Sequence, residues 1–176
     1  MGLPVSTAGM RNLFNRIQTL HDQFFGIVGY LQSPFLLFVR VYWGWQLSQS
    51  GWGKLHNLAN VTDFFTSLNL PFPAQTAFAI SSLELFGGIF LAVGLLSRTT
   101  ALVLTANMFM AYVTADREAL LSIFSDPDKF SAAAPFTFLV ASLITLLFGP
   151  GKIALDTVLR SFNSAPALRK SRSIPS

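Results

Sequence analysis

Two ionisable side chains stand inside long apolar stretches, and their type and position make them the first candidates for chemistry. Arg40 falls in the run from Pro34 to Gly51, and Glu84 falls in the run from Thr76 to Leu96. A charge at the centre of a bilayer costs about 2.5–3.5 kcal/mol on the insertion scale. Each residue therefore needs an opposite charge or a wet cavity, and we expect both side chains to point inward.

Two interpretations fit Arg40 and Glu84. If the two stretches are adjacent antiparallel helices, the Cα levels differ by about 10 Å at 1.5 Å per residue, which two long side chains can bridge. One interpretation is a polar site for a small ligand, a quinone headgroup or a proton. The other is a structural ion pair that fixes the register of the helices.

Other polar residues could extend such a site. Asn107 lies on a third apolar stretch and is a candidate neighbour of Glu84. The alternative for Asn107 is interhelical packing, where such hydrogen bonds contribute about 0.6 kcal/mol on average. Gln46 belongs to a polar stripe on the first stretch that leans toward a wet cavity, with Lys54 and His56 expected at the mouth of that cavity.

Several chemistries are excluded by residue type. The chain has no cysteine, which rules out disulfides, thiol redox chemistry and thiolate metal or iron–sulfur sites formed by this chain. The two histidines, His21 and His56, fall on opposite sides of the membrane in the topology below, so no metal site is predicted. Phosphate-binding loops and nucleophile elbows are absent from the sequence. No residue is assigned a catalytic role.

The composition indicates a membrane protein. Hydrophobic residues make up 52% of the 176 residues, charged residues only 11%, and the mean hydropathy is +0.52. An ordinary soluble domain is about 25% charged. With so few charges, most of the surface must face something other than water, and lipid is the solvent that fits.

The apolar stretches predict an all-α, polytopic membrane four-helix bundle. The stretches cover residues 34–51, 76–96, 99–115 and 133–148. Each is near the length of about 20 residues that crosses a hydrocarbon core of about 30 Å. Ser97-Arg98 leaves room only for a tight hairpin between the second and third helices, and Gly149-Pro150-Gly151 is a strong terminator of the fourth.

The segments on either side of the predicted bundle have a different character. Residues 1–32 form an N-terminal segment in which residues 9–31 read as an amphipathic helix lying on the membrane, the alternative being a helix docked on the protein itself. Ser33-Pro34 is expected to cap and start the first bundle helix. Residues 33–156 form the bundle domain, and residues 157–176 form a basic tail.

The distribution of lysine and arginine sets the predicted orientation. Four crossings put both termini and the loop at Arg98 on one side, which collects eight basic residues against three on the other when Arg40 is left out. Basic residues concentrate on the cytoplasmic side of membrane proteins. Both termini are therefore predicted to be cytoplasmic.

A set of short motifs resembles the DoxX family of four-helix bacterial membrane proteins. The motifs, in chain order, are Arg40, Gly51 with Lys54-Leu55, Glu84-Leu85-Phe86-Gly87-Gly88, Gly94-Leu95-Leu96-Ser97-Arg98, and Gly149 to Asp156. The resemblance covers about Phe35 to Asp156. Ala154 stands where the usual form of the family has serine. The resemblance implies a bacterial inner membrane location, and Arg98 and Asp156 are expected to pair at the cytoplasmic helix ends.

The resemblance also implies a function. Some members of the family resemble subunits of thiosulfate:quinone oxidoreductase, and others are linked to membrane-associated oxidative-stress complexes. The expected role is an accessory, non-catalytic subunit of a quinone-linked membrane redox complex, with other membrane subunits and the bilayer as partners and no nucleic acid. Alternatives are a quinone-reactive oxidoreductase subunit and a small transporter or lipid-binding protein. No cofactor is expected on the chain's own ligands, and a quinone or lipid is the candidate ligand.

Overall fold

The computed structural model describes residues 7–164, and the regular elements in that part of the chain are all helices. Predictions for residues 1–6 and for residues 165–176, which hold most of the basic tail, lie outside the described residues. The described part of that tail, residues 157–164, is helical. In chain order the helices are α1 (Thr7–His56), α2 (Leu58–Ser67), α3 (Pro73–Val93), α4 (Ser97–Thr114), α5 (Arg117–Leu121), α6 (Pro127–Ala132), α7 (Pro135–Phe148) and α8 (Leu155–Ser164).

Four helices carry the packing. α1 packs along α3 and also touches α7, while α4 packs on both α3 and α7, so the four contact one another in a closed ring. The buried core between them consists of Leu47, Leu91, Ala101, Leu104 and Met108. α3, α4 and α7 lie where the second, third and fourth apolar stretches predict helices.

Two of these helices are long and apolar enough to cross a membrane, namely α1 from Phe14 onward and α3. α7 is apolar but shorter. Large apolar side chains cover the outward faces of the ring, among them Phe38, Trp45, Phe86, Leu102 and Phe109, all exposed. Water is a poor solvent for such a surface and lipid a good one. Crossing of the membrane by the four ring helices stays a prediction.

The predicted helix start at Ser33-Pro34 is wrong, because α1 continues unbroken through Pro34. Ser33 does not act as a cap. Its hydroxyl oxygen instead accepts a hydrogen bond from the backbone N–H of Lys152 at 3.4 Å, which ties α1 to the segment after α7. The first half of α1 runs on as a helix whose described apolar side chains are exposed, including Phe14, Leu20 and Phe24. These side chains do not dock on the rest of the described chain.

The predicted end of the first bundle helix at Gly51 is also wrong, because α1 extends to His56. Gly51 faces the backbone of α3, where a Cβ atom would lie only 2.7 Å from the carbonyl oxygen of Ser81. Gly44 meets α3 in the same way, with Gly88 opposite. These glycines let two helix backbones approach closely rather than ending the helix. Most of the segment between the first two predicted bundle helices, residues 52–75, is therefore helical, as the end of α1, as α2 and as the start of α3.

The hairpin between α3 and α4 is held from the far end of the chain. The carboxylate of Asp156 accepts hydrogen bonds from the backbone N–H groups of Leu96 at 2.8 Å and Ser97 at 2.7 Å, which satisfies the first turn of α4. The backbone N–H of Asp156 donates to the carbonyl of Gly94 at 3.0 Å. The Arg98 guanidinium lies beside Gly149. A direct Arg98–Asp156 ion pair stays a prediction.

Replacing Asp156 with asparagine is expected to lower the free energy of unfolding by about 1.5–3 kcal/mol, the usual contribution of hydrogen bonds to a charged acceptor. The amide keeps the shape of the side chain but turns one acceptor into a donor that faces backbone N–H groups. Unfolding by sodium dodecyl sulfate in mixed micelles measures the change. Asp63→Asn, at an exposed position on α2, is the control. Equal stability of the two variants would contradict the assignment of Asp156 as the clamp.

Candidate functional site

A cavity of about 750 Å³ opens between the second half of α1, α2, α3, α4 and the start of α7. This volume lies within the range of small-molecule sites, which are mostly apolar with a few well-placed polar groups. The wall follows that description. Its apolar part includes Leu47, Phe64, Phe65, Ile80, Leu83, Met108 and Phe138.

A buried ion pair forms the polar corner of the cavity. The Lys54 ammonium donates to both carboxylate oxygens of Glu84, with Nζ 2.6 Å from Oε1 and 2.7 Å from Oε2. The Ser50 hydroxyl donates to Oε2 at 3.1 Å. The Glu84 side chain is 5% exposed and that of Lys54 is 37% exposed. The carboxylate is thus neutralised by one cation and held by three donor contacts.

The packing of α1 on α3 explains why Lys54 and Glu84 meet. Leu47, Ser50 and Lys54 recur at spacings of three and four residues, so they share one face of α1. Gly51, beside that face, lets the backbone of α1 approach α3 between Ser81 and Leu85. Glu84 lies in that stretch of α3, within reach of the Lys54 side chain. The site therefore depends on a glycine that makes no polar contact.

Asn107 supplies a second polar group to the cavity wall from α4. The residue is 9% exposed and lines the cavity. Its side-chain amide makes no hydrogen bond to another described residue. A carboxamide offers two donor hydrogens and an acceptor oxygen, which here stay available to a molecule inside the cavity. An occupant of the cavity with a polar atom would find its partner here.

Arg40 is not part of this site, and the predicted contact between Arg40 and Glu84 is not formed. Arg40 lies at the level of Gly94, where its guanidinium donates to the carbonyl oxygen of Ile153. Gly94 is ten residues beyond Glu84 on the chain, which corresponds to about 15 Å along a helix axis. The physical reason is register. The longer α1 and its glycine contacts bring Lys54, not Arg40, level with Glu84.

Arg40 closes the opposite end of the ring. Its side chain is fully buried, and its Nε and Nη1 atoms have no hydrogen-bond partner among the described residues. Gly94 has a φ of +74°, and a side chain there would collide with the guanidinium. The arrangement holds the segment after α7 against α1 and the α3–α4 turn. Arg40 does not line the cavity.

Two further predicted site residues lie outside the cavity wall. Gln46 is half-buried on α1, one turn before Ser50, and does not line the cavity. His56 is exposed, with Nδ1 2.9 Å from the carbonyl oxygen of Trp52 and its ring 4.3 Å from the indole. Lys54 was expected at the mouth and instead forms the ion pair in the wall. Within residues 7–164, no three His, Asp or Glu side chains gather as a metal site.

One known protein family matches the part of the chain that contributes most of this site. The DoxX family model matches residues 35–117, from the part of α1 that enters the ring to the start of α5. This match, together with the motifs that lie within it, supports membership of the DoxX family. No curated protein and no solved structure gives a significant match. The family and the apolar helices assign the chain to a membrane.

The DoxX match contains the ion pair and Asn107. Of the elements around the cavity, only α7 lies outside the matched residues. Sequence reasoning identified Glu84 and Asn107 but missed Ser50 and the aromatic contribution of α2. A usable signal was present, because Leu47, Ser50 and Lys54 keep helical spacing past Gly51. In this DoxX domain, a mainly apolar wall, the Lys54–Glu84 pair and Asn107 therefore surround one cavity.

Proposed function

We propose that this chain is a multi-pass membrane protein that binds a lipid-soluble quinone and serves as an accessory subunit of a membrane redox complex. The cavity carries the proposal. It is lined mainly by apolar side chains and has one polar corner, formed by the Lys54–Glu84 pair and Asn107. A quinone has a matching shape, with an apolar tail and a ring that carries carbonyl acceptors.

The proposed topology places all four ring helices across an inner membrane, with both termini in the cytoplasm. Exposed apolar side chains on α4 and α7, such as Leu102, Phe109 and Leu147, support crossing by these two helices. The excess of basic residues on the side of Arg98 supports the orientation. In this topology Arg40 lies toward the cytoplasm, and the cavity opens toward the opposite side.

A second candidate function is a quinone-reactive oxidoreductase subunit. The buried Lys54–Glu84 pair beside a free amide favours it, because quinone reduction consumes protons and such groups can supply or hold them. Purification in mild detergent separates the two functions. Recovery with cytochromes or other large subunits in fixed stoichiometry supports the accessory role. If the isolated chain reduces decylubiquinone with thiosulfate as electron donor, and Glu84→Gln abolishes this activity, the oxidoreductase function is supported and the accessory role is rejected.

Filling the cavity is expected to weaken quinone binding at least tenfold. Ala79 lines the cavity from α3, so Ala79→Phe puts a ring into the space that the ligand needs. Tryptophan fluorescence provides the readout, since quinones quench it and the ring centroid of Trp43 lies 6.1 Å from that of the cavity residue Phe138. The measurement is a decylubiquinone titration at fixed detergent concentration.

Ala74→Phe is the matched control, because Ala74 is also exposed on α3 but does not line the cavity. It should bind decylubiquinone like the unaltered chain. Equal quenching by all three proteins would show that the quinone dissolves at the lipid-facing surface, and the proposed function would then fail.

A further inference from the structure

We infer that the cavity selects uncharged amphiphiles that carry a hydrogen-bond acceptor, with Asn107 as the residue that recognises the headgroup and the Lys54–Glu84 pair as a barrier to anions. The inference rests on the proposed binding role of the cavity. It adds the chemical class of the ligand and assigns specificity to one side chain. The inference is drawn from two properties of the cavity wall: which charged groups are already paired, and which hydrogen-bond donors already have an acceptor.

The charged groups that line the cavity leave no free cation. They are Lys54, Glu84 and Asp116, one positive and two negative. Both contacts of the Lys54 ammonium go to Glu84, so its charge is already matched. An anionic headgroup entering the cavity would lose its hydration and find no unpaired cation, and the remaining charged group in the wall, Asp116, would repel it. Burial of an unpaired charge is strongly unfavourable, so carboxylates should be rejected.

A cationic headgroup is little better served. The Glu84 carboxylate is 5% exposed and is already held by Lys54 and Ser50. Asp116 is half-buried on the segment after α4 and is the only other acidic group in the cavity wall. Asp116 is therefore the one group in the cavity wall with which a cation could pair, and elsewhere in the cavity a cation finds no partner. An uncharged headgroup avoids both penalties.

Asn107 is the neutral polar side chain in the wall whose donors are not committed. The hydroxyl of Ser50 donates to Glu84, that of Thr76 to the carbonyl of Pro71 at 2.9 Å, and that of Thr114 to the carbonyl of Met110 at 2.8 Å. The Asn107 amide has no such partner among the described residues. A ligand carbonyl or hydroxyl can accept from it, whereas a plain hydrocarbon leaves it unsatisfied.

A pair of probes with matched chain lengths tests the inference. Dodecan-2-one and dodecanoate, at pH 8, compete against decylubiquinone in the fluorescence titration. With the unaltered chain, the ketone should compete at least tenfold better than the carboxylate after correction for micelle partition. Glu84→Gln frees the Lys54 cation, so the preference should shift toward dodecanoate by about tenfold or more. Comparing variants with the same probes cancels the partition term.

Asn107→Leu provides a test that does not disturb the ion pair. Loss of one hydrogen bond should weaken ketone binding about tenfold, which corresponds to about 1.4 kcal/mol. Gln46→Leu, the same kind of loss outside the cavity, should leave binding unchanged. The inference is overturned if dodecanoate competes as well as the ketone, or if Asn107→Leu binds the ketone normally. Decylubiquinone binding that remains sensitive to Ala79→Phe would still support the proposed function in that case.

Discussion

Replacing Lys54 with methionine is expected to lower the free energy of unfolding by about 3 kcal/mol. The change keeps the length and apolar stem of the side chain but removes the ammonium that binds both oxygens of Glu84. A carboxylate that is 5% exposed then keeps only the Ser50 hydroxyl. Removing one partner of a buried pair leaves an uncompensated charge, which is typically worth 3–5 kcal/mol. The lower end of that range applies because Lys54 is partly exposed. Unfolding in mixed micelles measures the effect.

The converse change, Glu84→Gln, is expected to cost less, about 1 kcal/mol. Lys54 is 37% exposed, so the freed ammonium keeps part of its hydration at its place in the cavity wall. The double variant Lys54→Met with Glu84→Gln removes the stranded carboxylate and should recover most of the loss caused by Lys54→Met alone. Such non-additivity is the signature of direct coupling between two residues.

Lys129→Met is the control for charge removal. Lys129 pairs with Glu118 at 3.0 Å, but the Glu118 side chain is 90% exposed.

The hydrogen bond from Lys129 and its charge hold the pKa of Glu118 below its ordinary value. The stabilisation from this pair is present above the unfolded-state pKa and is lost as the pH falls through the folded-state value. Exposed pairs contribute little, so no measurable change is expected at pH 7. Equal losses for Lys54→Met and Lys129→Met would contradict a buried pair at the cavity.

Gly51→Ala is the second change with a large expected effect, about 3 kcal/mol of destabilisation. The added methyl would lie 2.7 Å from the carbonyl oxygen of Ser81 and 2.9 Å from the backbone carbonyl carbon of Glu84. Backbone atoms of a packed helix cannot turn aside, so α1 and α3 must separate, and overpacking of this kind costs about 1–3 kcal/mol or more. Separation also pulls Lys54 away from Glu84, so decylubiquinone binding should weaken in the same variant.

Gly53→Ala, two residues further along α1, separates packing from helix propensity. A Cβ atom at Gly53 meets no atom within 4 Å. Alanine is a better helix former than glycine by about 0.5–1 kcal/mol, so this variant should be slightly more stable. The same substitution is thus expected to have opposite signs at two positions of one helix. Destabilisation of the same size at both positions would mean that the close contact between α1 and α3 does not exist.

The sequence predicts most of the helices because apolar runs of that length have few other solutions in lipid. α3, α4 and α7 fall where runs with almost no charge predict them. The bounds of α1 could not be predicted from local signals. Ser33-Pro34 reads as a start and Gly51 as an end, but Ser33 bonds to the segment after α7 and Gly51 packs on α3. Tertiary contacts use these residues in ways that local propensity does not register.

The sequence also predicts part of the candidate site. Glu84 and Asn107 stand out because polar groups are rare in such stretches, and both line the cavity. The partner of Glu84 depends on the register of α1 against α3. Glycine contacts between the two helices set this register. Residue counts from the predicted start of each helix give a different register, which pairs Glu84 with Arg40. The role of α2 was hidden as well. Phe64 and Phe65 lie between the first two predicted bundle helices, and nothing in their sequence context predicts that they line the cavity.

Photolabelling tests most directly whether the cavity around Lys54, Glu84 and Asn107 holds a membrane-soluble ligand. The purified chain is irradiated with an azidoquinone, with and without excess decylubiquinone, and the labelled peptides are identified by mass spectrometry. We expect the label that decylubiquinone suppresses to fall on residues 64–70, 76–84 and 103–111. Label spread over the first half of α1 and the outward faces of the ring, unaffected by the competitor, would contradict a quinone site in this cavity.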